Sequence, residues 1–172
     1  MSSKPSDSIT IRVATLEDTE TLVEHRRAMF FDIGYQDTEA LDGMACRFRE
    51  WVRPKIESGE YRAWLALAPD GSVTAGAALW LMNWPPMPFA VGSPRGNILN
   101  VYTSPAHRHR GLARHLMGVI LDWCRANRVE IVILHSSDQG RALYESLGFE
   151  GTREMRIELG PRVHHPGDLG DR

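Results

Sequence analysis

The six residues Arg108-His109-Arg110-Gly111-Leu112-Ala113 have the make-up of an anion cradle. They follow an apolar run, "NILNVYT" (97–103), and lead into an amphipathic one, "GLARHLMGVILDWCRANR" (111–128). A chain that turns from strand into helix here presents unpaired backbone N–H groups at the positive end of the helix dipole, and the two together attract phosphate. Gly111 lets the backbone approach a ligand with no side chain in the way, and Ala113 is small for the same reason. Arg108, His109 and Arg110 add positive charge around the turn. Neither the Gly-x4-Gly-Lys-Ser/Thr spacing of a P-loop nor the Gly-x-Gly-x-x-Gly of a dinucleotide site is present.

Other residues that bear on chemistry stand close behind. Tyr144 sits in "GRALYESLGF" (140–149), and a phenol with a reference pKa of about 10 keeps its proton at neutral pH. His135 and Ser137 lie at the end of the apolar run 129–137. Histidine is the side-chain type whose intrinsic pKa suits a base, so His135 is a candidate, though a lone histidine also serves as a satisfied structural residue. Ser137 or Asp138 is placed to cap the helix that follows.

These residues need elements to hold them. "ITIRVA" (9–14) alternates as a strand does, and the run 15–34 reads as a helix with Thr15 and Asp18 at its start and Gly34 at its end. A second helical run covers 38–59, where Pro54 is expected to kink or end it. Two strands, 61–68 and 72–83, form a hairpin across Pro69-Asp70-Gly71. The stretch 84–96 holds four prolines and two glycines and reads as a long loop. Strand 97–103, helix 111–128 and strand 129–137 make a βαβ unit, which demands neighbouring parallel strands with a right-handed crossover. The run 129–137 is apolar enough to be buried on both faces. A short helix (138–148) and one or two strands within 149–159 complete the order. The sheet is therefore mixed. One domain is expected over 9–160, with disordered tails at 1–8 and 161–172.

Composition narrows the function. The chain has 172 residues, 42% hydrophobic and 24% charged, with a formal net charge of −2. A nucleic-acid or membrane-surface role calls for a basic excess that is absent here. No run approaches the ~18 apolar residues of a membrane span, and "MSSKPSDS" lacks the apolar centre of a signal peptide. The expectation is a cytoplasmic protein. Cys46 and Cys124 both fall in apolar helical patterns and read as buried thiols. No metal-ligand spacing accompanies them, so no metal is expected.

Arg108 to Ala113 match Arg/Gln-x-x-Gly-x-Gly/Ala, and the chain thereby resembles the Gcn5-related N-acetyltransferase (GNAT) superfamily. Pro105, three residues before Arg108, and the block ending Leu143-Tyr144-x-x-x-Gly148-Phe149 strengthen the resemblance. It is carried mainly by 97–149; residues 9–96 match in element order. The resemblance implies a mixed α/β fold, with a central sheet of six to seven strands, a splayed parallel pair and about four flanking helices. It implies acetyl-CoA as co-substrate and direct acetyl transfer to a primary amine, more in keeping with a small molecule than with a protein N-terminus or lysine. Carried onto this chain, Val101, Tyr102 and Thr103 offer backbone to the pantetheine arm. Arg108, His109, Arg110, Gly111, Leu112 and Ala113 hold the pyrophosphate. Ser137 stands where many relatives place a coenzyme-binding Asn, and Tyr144 is the general acid. Many relatives carry a Glu on the strand before the loop, and 97–103 holds none, so the base stays open between His135 and a water chain. A non-catalytic acyl-CoA sensor is the alternative from another class. Many relatives dimerise, so a homodimer is expected. The acceptor site is expected between the first two helices and the loop 84–96, with Trp80, Trp84 and Phe89 as walls or as core. Glu24, His25, Arg27 and Asp32 either face that site or are solvated.

Overall fold

The structure is a computed structural model that describes residues 9–90, 92 and 94–160. Five strands form one sheet in the order β1 (Thr10–Val13), β2 (Tyr61–Leu67), β3 (Val73–Met82), β4 (Arg95–Thr103) and β5 (Ile131–Leu134). The first three pairings are antiparallel and β4–β5 is parallel, so the sheet is mixed as expected. Four α-helices flank it: α1 (Thr19–Asp32), α2 (Thr38–Ser58), α3 (Leu112–Ala126) and α4 (Asp138–Ser146).

The period-2 alternation of β2 and β3 divides the core between the two faces of the sheet. On one face Trp64, Ala75, Ala77 and Leu79 meet the α3 stripe of Leu112, Leu116, Met117, Ile120 and Cys124. On the other, Tyr61, Ala63, Leu65 and Ala78 meet Leu22 and Val23 of α1 and Ala45, Phe48 and Val52 of α2. Leu116, Met117 and Ile120 are fully buried; each contributes about 1.5–3 kcal/mol relative to an exposed side chain. Small residues on the strands let both helical layers approach closely.

The Thr15 and Asp18 start signal is realised. Thr15 N–H donates to the Asp18 carboxylate at 2.8 Å, one half of a capping box that opens a short 3-10 turn ahead of α1. Four expectations need correction. Of the two outcomes expected at Pro54, an end to the helix does not occur: α2 runs on to Ser58 and closes at Gly59 with φ 77°. The hydrogen bond that Pro54 cannot make would reach the carbonyl of Glu50, and both residues are exposed, so water replaces it. The last strand is shorter than 129–137, and all of its residues are only half-buried. It pairs with β4 alone and lies at the sheet edge. The expected strands in 149–159 do not form, which leaves five strands among the described residues instead of six to seven. A strand exists only where a neighbour completes its hydrogen bonds, and Met155, Ile157 and Leu159 alternate there at 94%, 78% and 87% exposure. Finally, Cys46 is exposed while Cys124 is buried. The buried face of α2 carries Leu41, Ala45, Phe48 and Val52, and Cys46 is turned a full residue step, about 100°, from Ala45.

Among the described residues no helix is long and apolar enough to cross a membrane.

Candidate active site

The site begins where the parallel pair comes apart. β4 and β5 are paired from Arg95↔Ile131 to Ile98↔Leu134, and no further. β4 continues to Thr103, so the backbone from Leu99 to Thr103 has no strand on that side. A bulge adds to the divergence. Between Ala78↔Leu99 and Gly76↔Tyr102 the register advances two residues on β3 and three on β4. Asn100 takes up the difference with φ 55°, a left-handed conformation that asparagine tolerates better than most residues.

The bulge fixes a buried polar chain. Asn100, 5% exposed, donates through Nδ2 to the Tyr61 hydroxyl at 2.8 Å and accepts through Oδ1 from Arg26 Nη1 at 2.6 Å. The Arg26 guanidinium lies over the rings of Phe30 and Phe48, 4.9 Å from each centroid. Burial lowers its pKa from the usual guanidinium value.

Beyond Thr103 the chain makes a short 3-10 turn at Pro105–His107 and enters α3 through Gly111, φ 77°. The first backbone bond of α3 runs from His115 N–H to Gly111 O at 3.0 Å. The N–H groups of Leu112, Ala113 and Arg114 therefore precede any helical acceptor, and no side chain caps them. A Cβ placed on Gly111 would meet nothing within 4 Å, so the need for glycine there is conformational. Arg108 does not point freely at this turn. Its Nε donates to the Thr103 carbonyl at 3.1 Å, and its Nη2 pairs with the Asp32 carboxylate, tying the end of α1 to the loop.

On the opposite bank Ser137 is the N-cap of α4 and accepts from Gly140 N–H at 3.2 Å. Tyr144 follows two turns into the helix, with its ring edge-on to Phe149. Burial raises its phenol above the usual value, and no protein hydrogen bond among the described residues takes its hydroxyl.

The splayed part of β4 and the α4 bank border one cleft of about 720 Å³, which the residues of the turn into α3 do not line. Val101, Leu134, Ser137 and Tyr144 line it at the divergence of β4 and β5; Arg26, Phe30, Arg47, Phe48, Trp51 and Trp80 line it from α1, α2 and β3. His135 also lines it, and among the described residues no Asp or Glu does. A strand parted from its neighbour beside a helix start with free N–H groups suits a long ligand that carries an anionic end.

The comparisons with known proteins agree with that geometry. The description "Acetyltransferase (GNAT) family" matches residues 19–149. The chain belongs to the GNAT acetyltransferase family. A GNAT structure from Ralstonia eutropha is 32% identical, with a TM-score of 0.82, covering 88% of this chain and 99% of that one. An acetyltransferase structure from Clostridium acetobutylicum, determined with acetyl-CoA, is 24% identical with a TM-score of 0.79, covering 89% and 96% of the two chains. Among curated proteins, a Trypanosoma brucei brucei glucosamine 6-phosphate N-acetyltransferase is 34% identical over 95 residues, or 53% of this chain and 60% of that protein. An uncharacterized Mycobacterium leprae protein is matched over 16% of its length.

Within this GNAT fold the residues singled out from the sequence separate into groups. Val101, Ser137, Tyr144 and His135 come together on the cleft. Tyr102 turns to the other side, its ring 4.9 Å from that of His25. Of the helix residues considered for the acceptor side, none lines the cleft. Glu24 is exposed, His25 is buried, Arg27 pairs with Asp42 at 2.7 Å and Asp32 holds Arg108. Trp80 is on the wall, whereas Trp84 packs under Arg95 away from it, and Phe89 is 72% exposed. None of the described residues of the loop 84–96 lines the cleft. Arg26, Arg47 and Asn100 were not singled out by the sequence reading. The one signal for them is an asparagine in the middle of a strand, where asparagine is depleted.

Proposed function

We propose that this chain is an acetyl-CoA-dependent N-acetyltransferase that transfers acetyl directly to the neutral primary amine of a small molecule bound in the cleft. The observation that carries the reading is the shared cleft. It takes in Leu99 to Val101 of the unpaired stretch of β4 together with Tyr144, and β4 leads on to a helix start whose first N–H groups have no acceptor among the described residues. Family membership, the neighbour determined with acetyl-CoA and the amino-sugar N-acetyltransferase relative support it. A volume of about 720 Å³ falls in the range of small-molecule sites.

The residues fit the co-substrate. The N–H groups of Leu112, Ala113 and Arg114 and the helix dipole hold the pyrophosphate, and the flexible backbone at Gly111 permits its close approach. The free backbone of Val101 to Thr103 receives the pantetheine arm, with Ser137 on the facing bank. Bound there, acetyl-CoA supplies an acetyl group activated as a thioester. The amine lone pair forms the new C–N bond at the acetyl carbon and the C–S bond breaks. Tyr144 donates a hydrogen bond to the departing sulfur and passes its proton as that bond breaks, then regains one from solvent. Because burial raises the phenol, it enters each cycle protonated. The acceptor's proton leaves through His135 or a water chain.

One observation favours a second reading. Among the described residues no carboxylate lines the cleft, so a sensor that binds acyl-CoA without transfer keeps every coenzyme contact. An amine-panel assay reading free CoA separates the two. Amine-dependent CoA release, with the acetylated amine found by mass spectrometry, supports the transferase. Acetyl-CoA binding with no amine-dependent release supports the sensor.

A further inference from the structure

Two cations on the acceptor side of the cleft have no counter-anion. Among the described residues neither Arg26 nor Arg47 takes part in a salt bridge. Of the acids on their two helices, Asp32 pairs with Arg108, Asp42 with Arg27 and Glu20 with Arg49, and none of the others lines the cleft. Arg26 is the more unusual of the two. Its Nη1 bonds only the neutral amide of Asn100, and its Nε is buried with no hydrogen-bond partner. Phe30 and Phe48 give it aromatic faces, which attract a cation but do not neutralise it. A desolvated cation without an anion is an expensive arrangement for a fold to keep. An oxyanion brought by a ligand removes that cost and meets a planar fork of N–H donors made for it.

The rest of this wall is apolar, with Met29, Ile33 and Met44 beside the aromatic rings. Trp51 and Trp80 meet edge-to-face at 5.2 Å and stand beside Phe48. The indole N–H of Trp80 is likewise buried without an acceptor. Such a wall suits an apolar or aromatic body, and with two arginines and no acid it repels polycations.

We propose that the cleft contains a subsite for an oxyanion on an apolar body, formed by Arg26 and Arg47 with the Phe48–Trp51–Trp80 wall. The acceptor is accordingly an amine that also carries a carboxylate or a phosphate monoester. Polyamines and other polycationic amines are excluded. This rests on reading the cleft as the acceptor site of an N-acetyltransferase. It adds the acceptor's charge and body, which the reaction alone leaves open.

The test uses the full chain with saturating acetyl-CoA and matched acceptors. L-phenylalanine is compared with phenethylamine, phosphoethanolamine with ethanolamine, and spermidine stands as the polycation. In at least one pair the anionic member is expected to show a kcat/KM roughly tenfold or more above its neutral partner, as for a charge-assisted hydrogen bond. The favoured pair tells carboxylate from phosphate. Arg47→Leu lies on the exposed surface of α2 and is expected to fold. It should remove most of the preference through KM, the anionic member losing far more than the neutral one. Arg26→Gln should do the same, with folding checked by circular dichroism. A second measurement does not depend on transfer: 3-phenylpropionate should raise the melting temperature and 3-phenylpropan-1-ol should not, with the shift lost in Arg47→Leu. Transfer that persists with no anionic preference, or with spermidine as the best acceptor, overturns the subsite alone. A melting shift that depends on Arg47, with no transfer to any amine, upholds the subsite and overturns the transferase reading.

Discussion

Gly140 leaves open the space that the ring of Tyr144 fills: a Cβ built on Gly140 would stand 2.9 Å from Tyr144 Cε2. The two residues are one helical turn apart on α4, so this glycine is the reason the phenol can lie down over the start of its own helix. Gly140→Ala gains about 1 kcal/mol of helix propensity but displaces the ring. The expected outcome is unchanged or higher thermal stability with a kcat roughly tenfold lower. Tyr144→Phe should lower kcat by on the order of 10²-fold with little change in KM for acetyl-CoA. Steady-state kinetics with the best acceptor of the panel checks both. A full kcat in Tyr144→Phe would remove the tyrosine from the mechanism.

Gly111 enters α3 at φ 77° with open space where its side chain would be. The cost of replacing it is conformational, about 1 kcal/mol for alanine and more for a β-branched residue. Gly111→Val should raise KM for acetyl-CoA roughly tenfold by reorienting the first N–H groups of the helix. Arg110→Ala removes only an exposed charge and should change it less than about threefold. If Arg110→Ala proves the more damaging, charge and not backbone makes the cradle.

His25 is 9% exposed, and burial pushes its pKa down to about 4 from an ordinary 6.5. The unfolded chain takes up a proton near pH 6.5 and the folded chain only near pH 4. Stability is therefore full above about 6.5 and falls as the pH drops toward 4. The loss is on the order of 2–3 kcal/mol. Urea unfolding at pH 7.5 and pH 5 should show it, and His25→Phe should flatten the difference. Gly76 makes room for this imidazole, since a Cβ there would stand 2.9 Å from His25 Nδ1 and 3.1 Å from Leu65 Cδ2. Gly76→Ala is expected to cost about 1–3 kcal/mol. An equal pH slope in His25→Phe would assign the acid sensitivity to other groups.

The two thiols should differ sharply. Cys46 is exposed, whereas Cys124 is 2% exposed and its thiol is pushed up to about 11 by burial. A thiolate is the reactive species, so Ellman's reagent should titrate one thiol per native chain quickly and two after denaturation. Cys46→Ser should abolish the fast phase. Two fast thiols in the native protein would contradict the placement of Cys124.

Much of this protein was legible in local pattern. The Gly111 turn, the amphipathic stripe of α3, the Thr15–Asp18 start and the β2–β3 hairpin depend on residues near one another in the chain. Their spacing in sequence is their spacing in space. The family resemblance rests on the same local blocks, 108–113 and 140–149. The extent of the last elements was less legible. A run such as 149–159 has the alternation of a strand, but a strand is completed only by a neighbour, and none pairs with it among the described residues.

Tertiary structure alone decided the wall of the cleft that α1 and α2 build. Nothing in the run "EHRRAMFF" separates Arg26 from Arg27, because adjacent residues on a helix differ only by a turn of about 100°. That turn sends Arg27 to Asp42 on the surface and Arg26 under two aromatic rings to Asn100, which is 74 residues away in sequence. The contact needs the β4 bulge, and the bulge needs the mismatch in register between two strands. By itself, then, the sequence determined the fold class and the Gly111 turn that carries the family motif, which are local. The charge balance of the cleft arises from which acids each arginine meets, and that is a property of packing.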